Sequence, residues 1–396
     1  MKKYRNILMR SGKLLSVFIS AMLISAPSAL SVKAANDAGI CTFYGEISAS
    51  ESFSASRRRF SDRESAAEYI RSRLKDRTYE FAFTIPKDIC TDHEKTPLEL
   101  LALALAETGN GSEGDYIRYA LKGYKYGCSE YQSETAIYYR VSYYTSKQDE
   151  DEADREISRI MQQLDLNGMT GYEKIRAVYD CVSGMVNYAK NTDDLSVFSA
   201  YGAAVKGTAV CQGYSQLLYR MMNDAGIPCR IISGLSKGNR HTWNIVSYNG
   251  LWYLMDVTWD SQLGGSDGFY FMRGTSDFDD FSKEEKHIPI YEYKIIFPDY
   301  DSEDFKAAYP ISEKKAEAPV YTSGDVNGNG IIDGIDASIV LTAYSIASVK
   351  GTSPLTSAQS EAADVTKDGV VDGKDASRIL SYYAAASAGN SKNLFA

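Results

Sequence analysis

Apolar residues recur with two periods along this chain, and the switches between them outline its elements. Spacing of three to four residues predicts helices over 65–75, 98–107 and 152–164, while alternation predicts strands over 79–85 and 136–145. Leu217, Leu218, Met221 and Met222 again recur at helical spacing, and Gly226 stands where a C-terminal cap belongs. Downstream, 241–248 reads as a strand, Asn249-Gly250 as a two-residue hairpin turn, and 251–258 as the partner strand. Residues 312–323 carry no apolar period and read as a linker. The expected organisation is an export leader over 1–34, an N-terminal α+β domain over 35–165, and an α+β core over 166–311 in which a helix packs on an antiparallel sheet. The linker and a small all-α module over 324–396 follow.

The hairpin also places chemistry. With Tyr248 opposite Leu251, His241 faces Thr258, and Asp256 becomes its diagonal neighbour on one face of the sheet. A bulge would turn Asp256 to the other face. Cys211 opens the preceding helix, where unpaired N–H groups and the helix dipole favour a thiolate. Thiol, imidazole and carboxylate in this order suit nucleophilic catalysis: Cys211 attacks, His241 moves the proton, and Asp256 orients the imidazole. Gln212 is the oxyanion candidate, through its backbone N–H at the helix start rather than its side chain. Trp243, Trp252 and Trp259 are read as core or cleft wall. His287, in Lys-Glu-Glu-Lys-His, is read as a solvated surface residue, and His93 has no surroundings like those of His241.

Three runs contain these residues: Gly207-Thr-Ala-Val-Cys211-Gln-Gly-Tyr, His241-Thr-Trp-Asn244, and Trp252-Tyr-Leu-Met-Asp256-Val-Thr-Trp-Asp260. They resemble the transglutaminase-like (papain-like thiol) superfamily, especially secreted bacterial members described as cysteine proteases. The likeness covers roughly residues 172–260. It implies a papain/transglutaminase-like core with Cys211 as nucleophile, His241 as general base and acid, and Asp256 as the orienting carboxylate.

The first residues sharpen the cellular address. Lys2, Lys3, Arg5, Arg10 and Lys13 precede an apolar run over 14–30 and the small-residue site Val32-Lys33-Ala34, the layout of a secretory signal. That run is too interrupted for a membrane span, so the protein is expected to be secreted and not membrane-spanning. The net charge is −9, and loss of the basic leader would make it more acidic, which argues against nucleic acid as a partner. The six cysteines (Cys41, Cys90, Cys128, Cys181, Cys211, Cys229) are too sparse for a disulfide-built fold, and their pairing stays open.

Beyond the linker the chain repeats itself. Asp325, Asn327, Asn329, Gly330, Ile331, Asp333 and Asp336 recur 39 residues later as Asp364, Thr366, Asp368, Gly369, Val370, Asp372 and Asp375. Each set is a twelve-residue loop with oxygen side chains at positions one, three, five, nine and twelve. Glycine at six makes the turn, and the backbone carbonyl of Ile331 or Val370 serves at seven, which is calcium-loop spacing. Thr366 in place of an amide weakens the second set.

The last ligand is Asp, and no helix precedes either loop. Loop and helix, twice over, resemble the dockerin module over about 324–388. That likeness implies two Ca2+ ions and a cohesin domain of a scaffoldin as partner, within a cellulosome-type complex at the cell surface. Ile339, Leu341, Ile379 and Leu380 are read as core or cohesin contact. The combined expectation is a scaffold-docked thiol enzyme performing acyl transfer on a protein or peptide amide, with hydrolysis favoured. A protein-glutamine crosslinking transferase and a non-catalytic binding protein are the alternatives.

Overall fold

The computed structural model describes residues 58–131, 133–263, 268–279, 286–290 and 296–389; the leader reading and Cys41 lie outside these residues. The N-terminal part is a four-stranded sheet of β1 (Arg58–Arg59), β2 (Glu80–Pro86), β3 (Leu121–Glu130) and β4 (Glu134–Tyr143), in the order β1-β2-β4-β3. Its tyrosines are core: Tyr124, Tyr126, Tyr138, Tyr139 and Tyr143 are buried, and Tyr139 stacks on Phe81 with ring centroids 5.3 Å apart. Helix α1 (Arg63–Lys75) starts where Asp62 accepts the Ser65 N–H at 2.7 Å, and it buries Ala66, Ala67, Ile70 and Leu74. Helices α2 (Lys95–Ala104) and α3 (Asp115–Ala120) precede β3, and α4 (Lys147–Leu164) follows β4 behind a Ser146/Asp149 capping box. The acidic start of α4 is only partly solvated. Glu150 is buried because it pairs with Arg77 at 2.8 Å and accepts the Tyr116 hydroxyl at 3.0 Å.

The second half is built on a sheet ordered β10-β7-β8-β9, with β7 (Cys229–Ser236), β8 (Asn239–Tyr248), β9 (Leu251–Met255) and the short edge strand β10 (Ile288–Pro289). A two-stranded sheet of β5 (Asn187–Tyr188) and β6 (Thr208–Ala209), with α5 (Gly171–Met185) and α6 (Ala200–Ala204), precedes α7 (Cys211–Asp224). Helix α7 is buried from Cys211 through Tyr219 and packs against the sheet, where the Asn244 side chain of β8 donates to the Ser215 carbonyl at 3.1 Å. The Asn249-Gly250 turn sets the register, pairing Tyr248 with Leu251 and Asn244 with Met255; Asn249 and Gly250 both have positive φ, as this tight turn requires.

One continuous core joins the halves, running from Ala66 and Phe83 through Tyr219 and Ile231 to Met272. A buried ion cluster crosses the junction. Asp115 accepts Arg230 Nε at 2.8 Å and the Ile231 N–H at 2.9 Å and pairs with Arg118, whose Nε donates to the Ile296 carbonyl at 2.5 Å. Within the segment expected to be a linker, the Ser312 N–H bonds to the Trp252 carbonyl at 2.8 Å and the Ala316 N–H to that of Met272 at 2.9 Å. The C-terminal module is all helix: α9 (Glu303–Ala308) lies before it, and α10 (Gly334–Lys350), α11 (Ser357–Ala363) and α12 (Gly373–Ser387) enclose Val326, Ala337, Val340, Val365, Ala376 and Ile379. The chain is thus α+β with a small all-α C-terminal module. No helix among the described residues is long and apolar enough to cross a membrane.

Candidate active site

Cys211 owes its position to the first turn of α7. The N-cap residue, Val210, has no side chain able to cap the helix, so the first-turn amides are not claimed by a cap. Two residues on, a Cβ at Gly213 would come within 2.7 Å of the Ala209 side chain and the Val197 carbonyl, so only glycine lets this turn sit so close to its neighbours. Cys211 is 2% exposed. Burial alone pushes its thiol up. The hydrogen bond and charge of His241, joined by the Thr242 hydroxyl and N–H, outweigh burial and hold the thiol below its ordinary value.

His241 Nε2 lies 2.6 Å from Asp256 Oδ2, which leaves Nδ1 as the nitrogen available to the thiol. Burial opposes the imidazolium, but the charge and hydrogen bond of Asp256, with the thiolate beyond, raise His241 to about 10. Asp256, completely buried, is driven well below the usual carboxylate range: burial opposes this, and the two imidazoles His241 and His287 overcome it. Both shifts run in the direction that favours a thiolate beside an imidazolium.

The route to this geometry differs from the expected one. The hairpin ladder stops at Met255, His241 lies opposite Gly234 of β7 rather than Thr258, and Asp256 is not a strand residue. It caps helix α8 (Val257–Gln262), its Oδ1 accepting the N–H groups of Thr258 at 3.0 Å and Trp259 at 3.1 Å. An Asp followed by three residues able to start a helix satisfies these amides better as a cap than as a strand residue, and the cap clamps one oxygen while the other faces His241.

One further expectation changes. His287 is not a solvated residue: its side chain is 2% exposed, with Nε2 3.1 Å from Asp256 Oδ2 and Nδ1 2.7 Å from Asp279 Oδ1. Burial in the middle of two carboxylates, not the charge of its sequence neighbours, decides its environment. The Gln212 side chain is engaged elsewhere, its Nε2 donating to the carbonyls of Tyr119 at 2.8 Å and Phe198 at 2.9 Å. Its backbone N–H, the group expected to meet an oxyanion, is not involved in these contacts. His241, Asp256 and His287 offer ligand atoms close enough to be considered for a metal. Both imidazoles stand at hydrogen-bond length from the same oxygen, however, an arrangement for sharing protons rather than for surrounding an ion.

The tryptophans divide. Trp259 stacks on His241 at 5.4 Å and Trp243 at 6.2 Å, so both wall the site, whereas Trp252 packs edge-on against Tyr309. Sequence reasoning gave no role to Asp260. It is 1% exposed, accepts the Tyr179 hydroxyl at 2.5 Å and the Tyr270 N–H at 3.1 Å, and ties α5 to the wall behind α8. Its place at the end of the Trp-Asp dipeptide was the available signal.

The duplicated loops hold their oxygens inward. Asp325 accepts the N–H groups of Asn329 at 3.1 Å and Gly330 at 2.8 Å, and Asn327 and Asn329 each accept an N–H two residues on. Asp333 and Asp336 form the capping box of α10, and Asp372 and Asp375 that of α12. Burial raises Asp336; three backbone N–H donors oppose it, and the charge of Asp325 adds a smaller push upward. Hard oxygen donors with Gly330 and Gly369 in the left-handed region at φ +82° fit Ca2+. In the second loop Asp364 accepts the Gly369 N–H at 2.9 Å, and Asp368 that of Val370 at 3.0 Å. There, however, the Thr366 hydroxyl donates to Asp375 at 2.9 Å.

Residues 158–257 match the family model of the transglutaminase-like superfamily, and residues 323–382 match that of the dockerin type I domain. Dockerin type I domains bind calcium and imply a cohesin partner. The kyphoscoliosis peptidases of Homo sapiens and Mus musculus are each 30% identical, over 109 and 106 residues, or 24% and 23% of this chain. These matches span only 16% of either relative's length. A solved transglutaminase ("TGase") structure aligns over 45% of this chain and 51% of its own, at 14% identity and a TM-score of 0.25.

Proposed function

We propose that the chain is a secreted thiol hydrolase of protein or peptide amides that a dockerin seats on a cohesin-bearing scaffoldin, in a cellulosome-type complex at the cell surface. The observation that carries the reading is the buried relay: a thiol lowered by its hydrogen bond to His241, whose other nitrogen meets Asp256 at 2.6 Å. In the reaction, Cys211 Sγ attacks the amide carbonyl carbon and a C–S bond forms. The imidazolium of His241 gives its proton to the leaving nitrogen as the C–N bond breaks, which leaves a thioester and a free amine. His241 then takes a proton from water, the hydroxide adds to the thioester, and cleavage of the C–S bond restores the thiolate. The Gln212 N–H at the start of α7 would meet the oxyanion in both steps. Asp256 keeps the imidazole in the productive tautomer throughout.

Water as acceptor is favoured over a lysine amine because water is present at far higher concentration. The names of the curated relatives, which are peptidases, lean the same way. In the C-terminal module, Asp325, Asn327, Asn329, Asp333 and Asp336, with the Ile331 carbonyl, would hold one Ca2+. Asp364, Thr366, Asp368, Asp372 and Asp375, with the Val370 carbonyl, would hold a second and weaker one. The ions would neutralise the gathered carboxylates and so fix the two loops against α10 and α12. Exposed apolar residues on those helices, Leu341, Tyr344, Leu380 and Tyr383, are then free for a cohesin.

The test is Cys211→Ala, followed by casein cleavage and by incorporation of a labelled amine into casein. Loss of cleavage is expected. If both activities survived, the nucleophile assignment would be wrong. If only amine incorporation were lost, the enzyme would be a crosslinking transferase.

A further inference from the structure

His287 stands one residue before β10, and the pairing of Ile288 with Leu235 on β7 fixes its backbone beside the triad. Its two ring nitrogens face two carboxylates, Asp256 Oδ2 at 3.1 Å and Asp279 Oδ1 at 2.7 Å, and its backbone N–H donates to Asp279 Oδ2 at 3.0 Å. An ionised carboxylate only accepts hydrogen bonds, so a neutral imidazole would set one bare nitrogen against an anion. The doubly protonated ring satisfies both. The walls suit a cation as well: Phe278, Trp259, Trp243 and Tyr270 surround it with ring centroids 4.4, 4.7, 5.0 and 5.9 Å away. Among the described residues, the ionisable groups facing it are Asp256 from the cap of α8, Asp279 from the turn after Phe278, His241 from β8 and the phenol of Tyr270.

We propose that His287 is a positioning residue of the Cys211 site, a second imidazolium that shares Asp256 Oδ2 with His241 and so limits how tightly Asp256 holds the His241 proton. The proposal rests on the thiol-enzyme reading. It yields an alternating series of thiolate, imidazolium, carboxylate, imidazolium and carboxylate, ending at Asp279. A triad carboxylate with a single buried partner would hold His241 so strongly protonated that giving the proton to a leaving amine becomes slow. The second cation, with its ring centroid 5.5 Å from that of His241, offsets this pull. At that separation, loss of one unit charge moves a neighbouring titration by about one to two pH units in a partly screened interior.

The experiment compares the wild type with His287→Gln and Asp279→Asn. The rate of Cys211 alkylation by chloroacetamide and kcat/KM on casein are both followed from pH 4 to 11 (roughly the range of these titrations), with thermal melts alongside. Asp279→Asn retains the imidazole and a side-chain partner and removes only the charge that keeps His287 doubly protonated. In both variants the alkaline limb, which reports loss of the His241 proton, should move up by about one to two pH units. A purely structural role would lower the rates at every pH and leave the limb in place, and that result overturns the proposal. Should His287→Gln fail to fold, Asp279→Asn decides the matter alone. If wild-type Cys211 alkylates only as an ordinary thiol, above about pH 8, the thiol-enzyme reading fails and takes this proposal with it. That outcome is distinct from a normal wild-type profile with unmoved variants.

Discussion

Replacing Asp256 by Asn separates the shape of the site from its charge. In the wild type Oδ1 accepts the N–H groups of Thr258 and Trp259, and Oδ2 meets the Nε2 atoms of His241 and His287 at 2.6 and 3.1 Å. An asparagine can leave its carbonyl on the α8 cap, so the start of that helix is retained. Its NH2 group then faces the imidazoles as a donor. His241 must accept at Nε2, which moves its single proton to Nδ1, the side of the thiol. The base is blocked by its own tautomer. The same reversal in a Ser-His-Asp enzyme lowers kcat by about 10⁴.

An effect of about 10³–10⁴ on kcat/KM is expected here, equivalent to about 4–5.5 kcal/mol of transition-state stabilisation at 1.36 kcal/mol per decade. Stability should fall much less. Two charge-assisted hydrogen bonds become neutral ones, at a cost of about 1 kcal/mol each, so the unfolding free energy drops by about 2 kcal/mol. The assay pairs casein cleavage and chloroacetamide alkylation near neutral pH with a urea melt. Alkylation should slow together with cleavage, because the thiolate has lost its proton acceptor. Activity within tenfold of wild type in a folded Asp256→Asn protein would refute the assignment of Asp256. Asp256→Ala makes a useful contrast, since it also removes the cap and should cost about 1 kcal/mol more in stability.

Asp115→Ala should destabilise the protein by about 3–5 kcal/mol, because it removes the buried carboxylate shared by Arg118 and Arg230 and leaves Glu107 as their more distant anionic partner. A urea midpoint close to wild type would show that the junction does not depend on this cluster. Removal of calcium by a chelator should expose residues 324–389 to limited proteolysis and abolish cohesin binding while leaving Cys211 alkylation unchanged. Cohesin binding that survived chelation would count against the two-ion reading of the loops.

How far the site was legible depended on how local its determinants are. The Asn249-Gly250 turn fixed the hairpin register from two residues, and the helical spacing of Leu217, Leu218, Met221 and Met222 located the helix that Cys211 opens. Both are short-range signals, set by backbone preference and one-sided burial. The same reasoning overran at Asp256. Apolar alternation through 251–258 hid the stronger preference of Asp for capping two free amides, so the expected diagonal pair became a cap whose second oxygen turns to His241. The carboxylate still reaches the imidazole, but by a different backbone route.

His287 shows why the remainder was not legible. Its neighbours Lys-Glu-Glu-Lys argue for solvent, and no periodicity marks it. Its burial follows from two carboxylates, one at Asp279 and one at Asp256, that converge only once β10 pairs with β7. A polar residue buried by charge complementarity leaves no hydropathy signal, because its partners come from separate elements and each is polar too. What the sequence did contain was a shortage of histidines, three in the whole chain. Two of the three meet on one oxygen of one aspartate. On the proposed reading the proton balance of the site is set by five groups, from Cys211 to Asp279, and a substitution at the far end of that series should be read first in the pH dependence of the thiol.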